Sequence, residues 1–141
     1  GCLMLKGISP LISPELLKVL CEMGHGDEIL LADANYPAES CGPKVIRADG
    51  LDIPSLLEAI LKLFPLDTYV DENVILMSPE KGKPPIWEKY EEILKASGED
   101  VRIGTLSRFD FYDRARKAYA IVATGERALY ANIILKKGVI S

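Results

Sequence analysis

The sequence predicts an α/β fold: a single-domain layered α/β/α arrangement with a mixed, mostly parallel sheet and a C-terminal antiparallel hairpin. Three observations carry this. Segments with apolar residues at helical spacing alternate with short apolar runs of strand length. One of those runs, Val74-Ile75-Leu76-Met77, is apolar throughout, as a strand covered on both faces should be. The last two runs are separated only by a short stretch around Gly125-Glu126-Arg127, which suits a hairpin.

Each element has its own local signals. Ser13-Pro14-Glu15 starts the first helix, with a capping hydroxyl, a proline at the first helical position and then an acid. Leu16, Leu20 and Met23 follow at helical spacing, and Gly24 ends the helix. Cys21 is placed on its apolar side as a small core residue. A strand covers residues 28–32. Asp33-Ala34-Asn35-Tyr36-Pro37 breaks it, and a polar loop runs on to Gly42-Pro43. Lys44-Val45-Ile46-Arg47 is a short strand stopped by Ala48-Asp49-Gly50. A helix over residues 53–64 buries Leu56, Leu57, Ile60, Leu61 and Phe64, and Pro65 ends it. After the strand at 74–77 and the loop Lys81-Gly82-Lys83-Pro84-Pro85, a helix from Trp87 to Ala96 turns Trp87, Tyr90, Ile93 and Leu94 inward. The next strand is 101–106. Ser107 caps a helix that begins at Arg108, carries Phe109, Phe111, Tyr112 and Ala115, and ends in Arg114, Arg116 and Lys117. Strands at 119–124 and 129–135 finish the chain. No repeat, low-complexity tract or long linker divides it.

Composition narrows the function. The chain has 141 residues, 48% apolar and 27% charged, as expected of one soluble globular domain. A chain of this size buries about two thirds of its unfolded surface and needs no staples. The net charge is −4 and no basic cluster exceeds Lys136-Lys137, so there is no footprint for nucleic acid. No apolar run approaches the ~20 residues of a membrane-spanning helix. Cys2, Cys21 and Cys41 are widely spaced, with no Cys-x-x-Cys, which argues against disulfides and structural zinc and suits a reducing, cytoplasmic setting. With one histidine, a metal site would be limited to a carboxylate cage for a hard cation. No Gly-x-Gly-x-x-Gly or Gly-Lys-Ser/Thr supports nucleotide binding. Gly1-Cys2-Leu3 reads as a leader left over from expression, and the domain is expected to span residues 4–141.

The candidate chemistry centres on that histidine. His25 lies between two glycines in Gly24-His25-Gly26-Asp27-Glu28, where the first helix ends and the first strand begins. An imidazole exchanges protons near neutral pH, and Asp33 at the other end of the strand is a carboxylate that can share acid/base work with it. A helix end also carries a glycine and a cation for structural reasons alone. Open α/β sheets bind ligands beyond the carboxyl ends of their strands. Asp33 and Asn35 stand there after the first strand, Arg47 and Asp49 after the second, and Arg108 after the strand at 101–106. That set suits a polyhydroxylated ligand. Tyr130 and Asn132, two apart in the last strand, point the same way and offer a ring and an amide to a sugar. The structural alternatives are a buried tyrosine with a satisfied asparagine, and a turn and surface pair for Asp49 and Arg47.

Several long stretches then carry a resemblance: Met4-Leu5-Lys6-Gly7-Ile8-Ser9-Pro10-Leu11-Ile12-Ser13-Pro14-Glu15-Leu16-Leu17, Met23-Gly24-His25-Gly26-Asp27-Glu28, Val45-Ile46-Arg47-Ala48-Asp49-Gly50, Arg108-Phe109 with Phe111-Tyr112, and residues 120–139. The chain resembles the family of L-fucose mutarotases and D-ribose pyranases over nearly its whole length. The resemblance implies a cofactor-independent isomerase that interconverts the α and β anomers of free L-fucose. It implies His25 as general acid, Asp33 as a second catalytic and sugar-contacting residue, and Arg108, Tyr130, Ala131 and Asn132 as sugar contacts. Ala131 replaces a glycine common in relatives, and its methyl is expected to narrow the pocket if it faces sugar. Residues 78–100 carry no resemblance. The alternatives are another aldose, such as D-ribose, or a non-catalytic sugar-binding module.

Opening and closing the hemiacetal ring needs a proton delivered to the ring oxygen and one removed from the anomeric hydroxyl, with no covalent intermediate. A five-residue strand between His25 and Asp33 separates them by ~16 Å, too far for one monosaccharide. The expectation is therefore a homo-oligomer whose pockets are completed by two subunits. The family's ring-like assemblies, a decamer among them, imply the same.

Overall fold

The computed structural model describes residues 5–141. Gly1-Cys2-Leu3, read as an expression leader, and Met4 lie outside the described residues. Five helices, α1 (Pro14–Glu22), α2 (Ala38–Cys41), α3 (Ile53–Leu61), α4 (Pro85–Ala96) and α5 (Arg108–Arg116), alternate with six strands, β1 (Glu28–Ala32), β2 (Lys44–Ala48), β3 (Val74–Met77), β4 (Ile103–Leu106), β5 (Ala120–Thr124) and β6 (Ile133–Lys136). The strand order is β2-β5-β1-β6-β3-β4. β6 is antiparallel to both β1 and β3, and the other pairs are parallel.

Side-chain alternation on the strands builds two cores, one on each face of the sheet. Ile29, Leu31, Val74, Leu76, Ala120, Val122, Ile133 and Leu135 pack with α1, α3 and α4. Leu30, Ala32, Ile75, Met77, Ile121, Ala123 and Ile134 pack with α2 and α5. Leu56, Leu57, Ile60, Leu61 and Phe64 are all buried, as their spacing predicts, although α3 itself stops at Leu61. Each fully buried leucine or isoleucine contributes ~1.5–3 kcal/mol.

The helix caps fall where the sequence places them. The Ser13 hydroxyl accepts the Leu16 N–H, and the Ser107 hydroxyl accepts that of Asp110. α5 is anchored at its far end, where Arg114 donates through two nitrogens to the Glu28 carboxylate at 3.0 and 2.6 Å. That anchor sets where the first turn of α5 stands.

Three expectations are corrected. β5 and β6 form no hairpin, because β1 lies between them. The chain leaving β5 is held across the end of β1: the Thr124 hydroxyl donates to the Ala32 carbonyl, and the Ala34 N–H donates to the Glu126 carbonyl. Tyr130 and Asn132 therefore lie before the strand, in an irregular turn, and β6 starts only at Ile133. Second, the loop expected at 33–43 contains the short helix α2. Third, Cys21 is exposed. The buried stripe of α1 runs through Leu16, Val19 and Leu20, and position 21 turns away from it.

Candidate active site

The fold splits the candidate residues between the two ends of the sheet. At the end where β1 begins, His25 sits in the loop leaving α1. Two backbone bonds tie this loop to the residue after β6: Gly26 N–H to the Lys137 carbonyl and Lys137 N–H to the Asp27 carbonyl, both 2.8 Å. Gly26 has φ +89°, a conformation that favours glycine. The Lys137 ammonium donates to the Leu20 and Met23 carbonyls at the end of α1.

His25 does not pair with Asp33 in its own chain. Its Nε2 lies 3.0 Å from Oδ1 of Asp67. A carboxylate only accepts, so Nε2–H is the donor. Asp67 is 2% exposed and also accepts the Tyr69 N–H at 3.0 Å. Burial alone would raise its carboxyl, but the Tyr69 N–H and the His25 imidazole outweigh burial and hold it below the usual carboxylate range. The Tyr69 ring stands 5.4 Å from that of His25.

At the opposite end of the sheet, the Asn132 side-chain carbonyl accepts the Asp33 N–H at 2.8 Å, joining two predicted residues 99 positions apart. Burial pushes the Asp33 carboxyl above its ordinary range, and the Glu126 charge adds to that. Arg108, in the first turn of α5, holds its guanidinium 5.6 Å from the centre of the Tyr112 ring, a cation–π contact. Tyr36 meets Tyr112 edge to face at 5.2 Å, and its own hydroxyl is buried without a partner among the described residues. The ring of Tyr130 packs against the same cluster as Tyr112.

Tyr130 has φ +55°, in the left-handed region that costs a non-glycine residue ~1–3 kcal/mol. Its carbonyl accepts the Trp87 indole N–H at 2.9 Å, and the Ala131 carbonyl accepts the Tyr90 hydroxyl at 2.6 Å. Ala131 is fully buried, its methyl in the core beneath α4. That methyl therefore does not narrow a pocket. Arg47, exposed on β2, pairs with both Asp49 and Glu39, and Asn35 is exposed, its N–H donating to Asp33 Oδ1.

The residues missed in the sequence are Asp67 and the pair Trp87 and Tyr90. Asp67 follows a helix end 42 positions from His25, and no spacing rule links the two. Trp87 and Tyr90 read as core; Tyr90 is fully buried and Trp87 packs partly buried against the same core, and the missing clue was that an indole N–H or phenol in such a place needs an acceptor.

A family model, the RbsD / FucU transport protein family, matches residues 6–140. The chain belongs to that family. This RbsD / FucU chain is 59% identical over 146 residues to the fucose mutarotase of Danio rerio, covering 97% of this chain and 95% of the relative. To the fucose mutarotase of Homo sapiens it is 56% identical, with the same coverage. Its fold superimposes on a crystal structure of the fucose mutarotase from Streptococcus pneumoniae in complex with L-fucose with a TM-score of 0.94, at 57% identity, covering 97% of this chain and all of that one.

Proposed function

We propose that this chain is an L-fucose mutarotase, an isomerase that interconverts the α and β anomers of the free sugar. The likeness to an L-fucose-bound fucose mutarotase over nearly the whole chain carries this reading. The two half-sites supply the chemistry. Asp33, Arg108, Tyr130 and Asn132 hold the sugar hydroxyls. His25 acts through Nδ1, giving a proton to the ring oxygen as the hemiacetal opens while the Asp33 carboxylate takes the proton of the anomeric hydroxyl, and both transfers reverse as the ring closes on the other face. Asp67 holds Nε2–H, so the imidazole keeps one orientation.

Within one chain the imidazole and Asp33 stand at opposite ends of β1, ~16 Å apart along the strand. The assembly is therefore a homo-oligomer in which the His25–Asp67 pair of one subunit faces the Asp33–Asn132 end of its neighbour. Residues 4–141 work as one unit, and the setting is the cytoplasm, where the free thiols of Cys21 and Cys41 stay reduced.

Saturation-transfer NMR of anomeric protons tests the reading with L-fucose, D-ribose and D-galactose. Accelerated exchange with L-fucose supports it. Acceleration with D-ribose alone assigns a different aldose, and binding without acceleration leaves a sugar-binding module.

A further inference from the structure

We infer that Trp87 and Tyr90 are positioning residues for the proposed reaction: together they clamp the Tyr130-Ala131 backbone so that the Tyr130 ring is presented to the sugar. This rests on the functional reading above, and it gives a role to α4, which that reading leaves without one.

Tyr130 is the only non-glycine residue with positive φ among the described residues. A left-handed L-residue brings its Cβ close to the following carbonyl oxygen, and a tyrosine has no local side-chain bond to compensate. Such a conformation persists only where its surroundings over-determine it. Three side chains do so here. Trp87 Nε1–H holds the Tyr130 carbonyl, the Tyr90 hydroxyl holds the Ala131 carbonyl, and the Asn132 amide is fixed by the Asp33 N–H. Tyr90 is fully buried and Trp87 packs beside it on the α4 face. The Tyr130 ring lies on the other side, with the cluster that contains Tyr112. The chain thus crosses from one face of the sheet to the other at residues 130–131, carbonyls toward α4 and ring toward α5. If the two donors are lost, φ is free to relax to negative values and the ring leaves its place against the α5-side cluster.

The test compares Tyr90→Phe, which keeps the ring and removes only the donor, with Trp87→Phe, which removes the donor and part of the indole while keeping an aromatic ring. Each is expected to raise KM for L-fucose ~3–10-fold, with a smaller change in kcat. In a Tyr130→Gly background there is neither ring nor strain to hold, so adding Trp87→Phe should change KM less than ~2-fold. Trp87 is the only tryptophan in the chain, so its indole N–H is one NMR signal that reads the clamp without turnover. That signal should exchange slowly with solvent and shift saturably as L-fucose is added. Additive KM changes, unchanged KM in both folded single variants, or a rapidly exchanging indole N–H in active wild-type protein would overturn the clamp alone. Wild-type protein that neither exchanges fucose anomers nor shifts this signal with L-fucose would overturn the functional reading and the clamp with it.

Discussion

Nε2 of His25 and Oδ1 of Asp67 lie 3.0 Å apart, although 42 positions separate the residues. The carboxylate is buried and the imidazole is partly open to solvent, its side chain 45% exposed. Nε2 is thus committed to the protein, which is what the proposed proton exchange at Nδ1 requires.

His25→Ala should lower the acceleration of fucose anomer exchange by ~10²–10⁴-fold while the protein stays folded. Asp67→Asn keeps an acceptor for Nε2–H and for Tyr69 but removes the charge, so its loss should be smaller. Anomeric saturation transfer with circular dichroism on the same samples checks both. Folded His25→Ala protein within a few-fold of wild type would reject the role.

Mixing separates a two-subunit site from a one-chain site. His25→Ala and Tyr130→Ala proteins, each impaired alone, should gain activity when their subunits exchange. Random mixing in equal amounts makes roughly a quarter of the sites intact. An active monomer, or no recovery after demonstrated exchange, would end the proposal.

Arg108→Ala and Tyr130→Phe should each weaken sugar turnover by ~0.5–1.5 kcal/mol, the worth of one hydrogen bond, without unfolding the domain. Wild-type kcat/KM in both variants would show that the sugar lies elsewhere.

Asp33→Asn should stabilise the fold while it reduces activity. Burial raises the folded pKa of Asp33 above its unfolded value, so the charged form is penalised on folding. That penalty is full above the folded pKa and vanishes below the unfolded value of ~3.9. The Tm gain of Asp33→Asn over wild type should therefore be present at neutral pH and shrink as pH falls through the acid range. Asp67 has the opposite sign: its folded pKa is lowered, so its contribution holds above ~3.9 and is lost as pH falls through the folded pKa. A Tm difference for Asp33→Asn that grows in acid would contradict the assignment.

Much of this protein was legible along the chain. Ser13 and Ser107 mark helix starts through bonds that reach only three residues. The run Val74–Met77 marks a strand buried on both faces, because its length and unbroken apolarity allow little else. Asp33 and Arg108 could be nominated because chain segments leaving a sheet at one end share that end, and Tyr130 and Asn132 because a ring and an amide two positions apart suit a sugar.

Strand order was not legible in the same way. Apolar alternation says that β5 and β6 are strands, but not that β1 inserts between them. That insertion is made by the ladders of β1 to β5 and to β6, with the Thr124 and Ala34 bonds across its end. The His25–Asp67 pair, the left-handed Tyr130 and its Trp87 and Tyr90 donors likewise join positions tens of residues apart. Periodicity, caps and turn residues act over a few positions and are written in order along the chain. Partners for buried polar groups are chosen by whichever acceptor packing brings within 3 Å, and only the folded chain makes that choice.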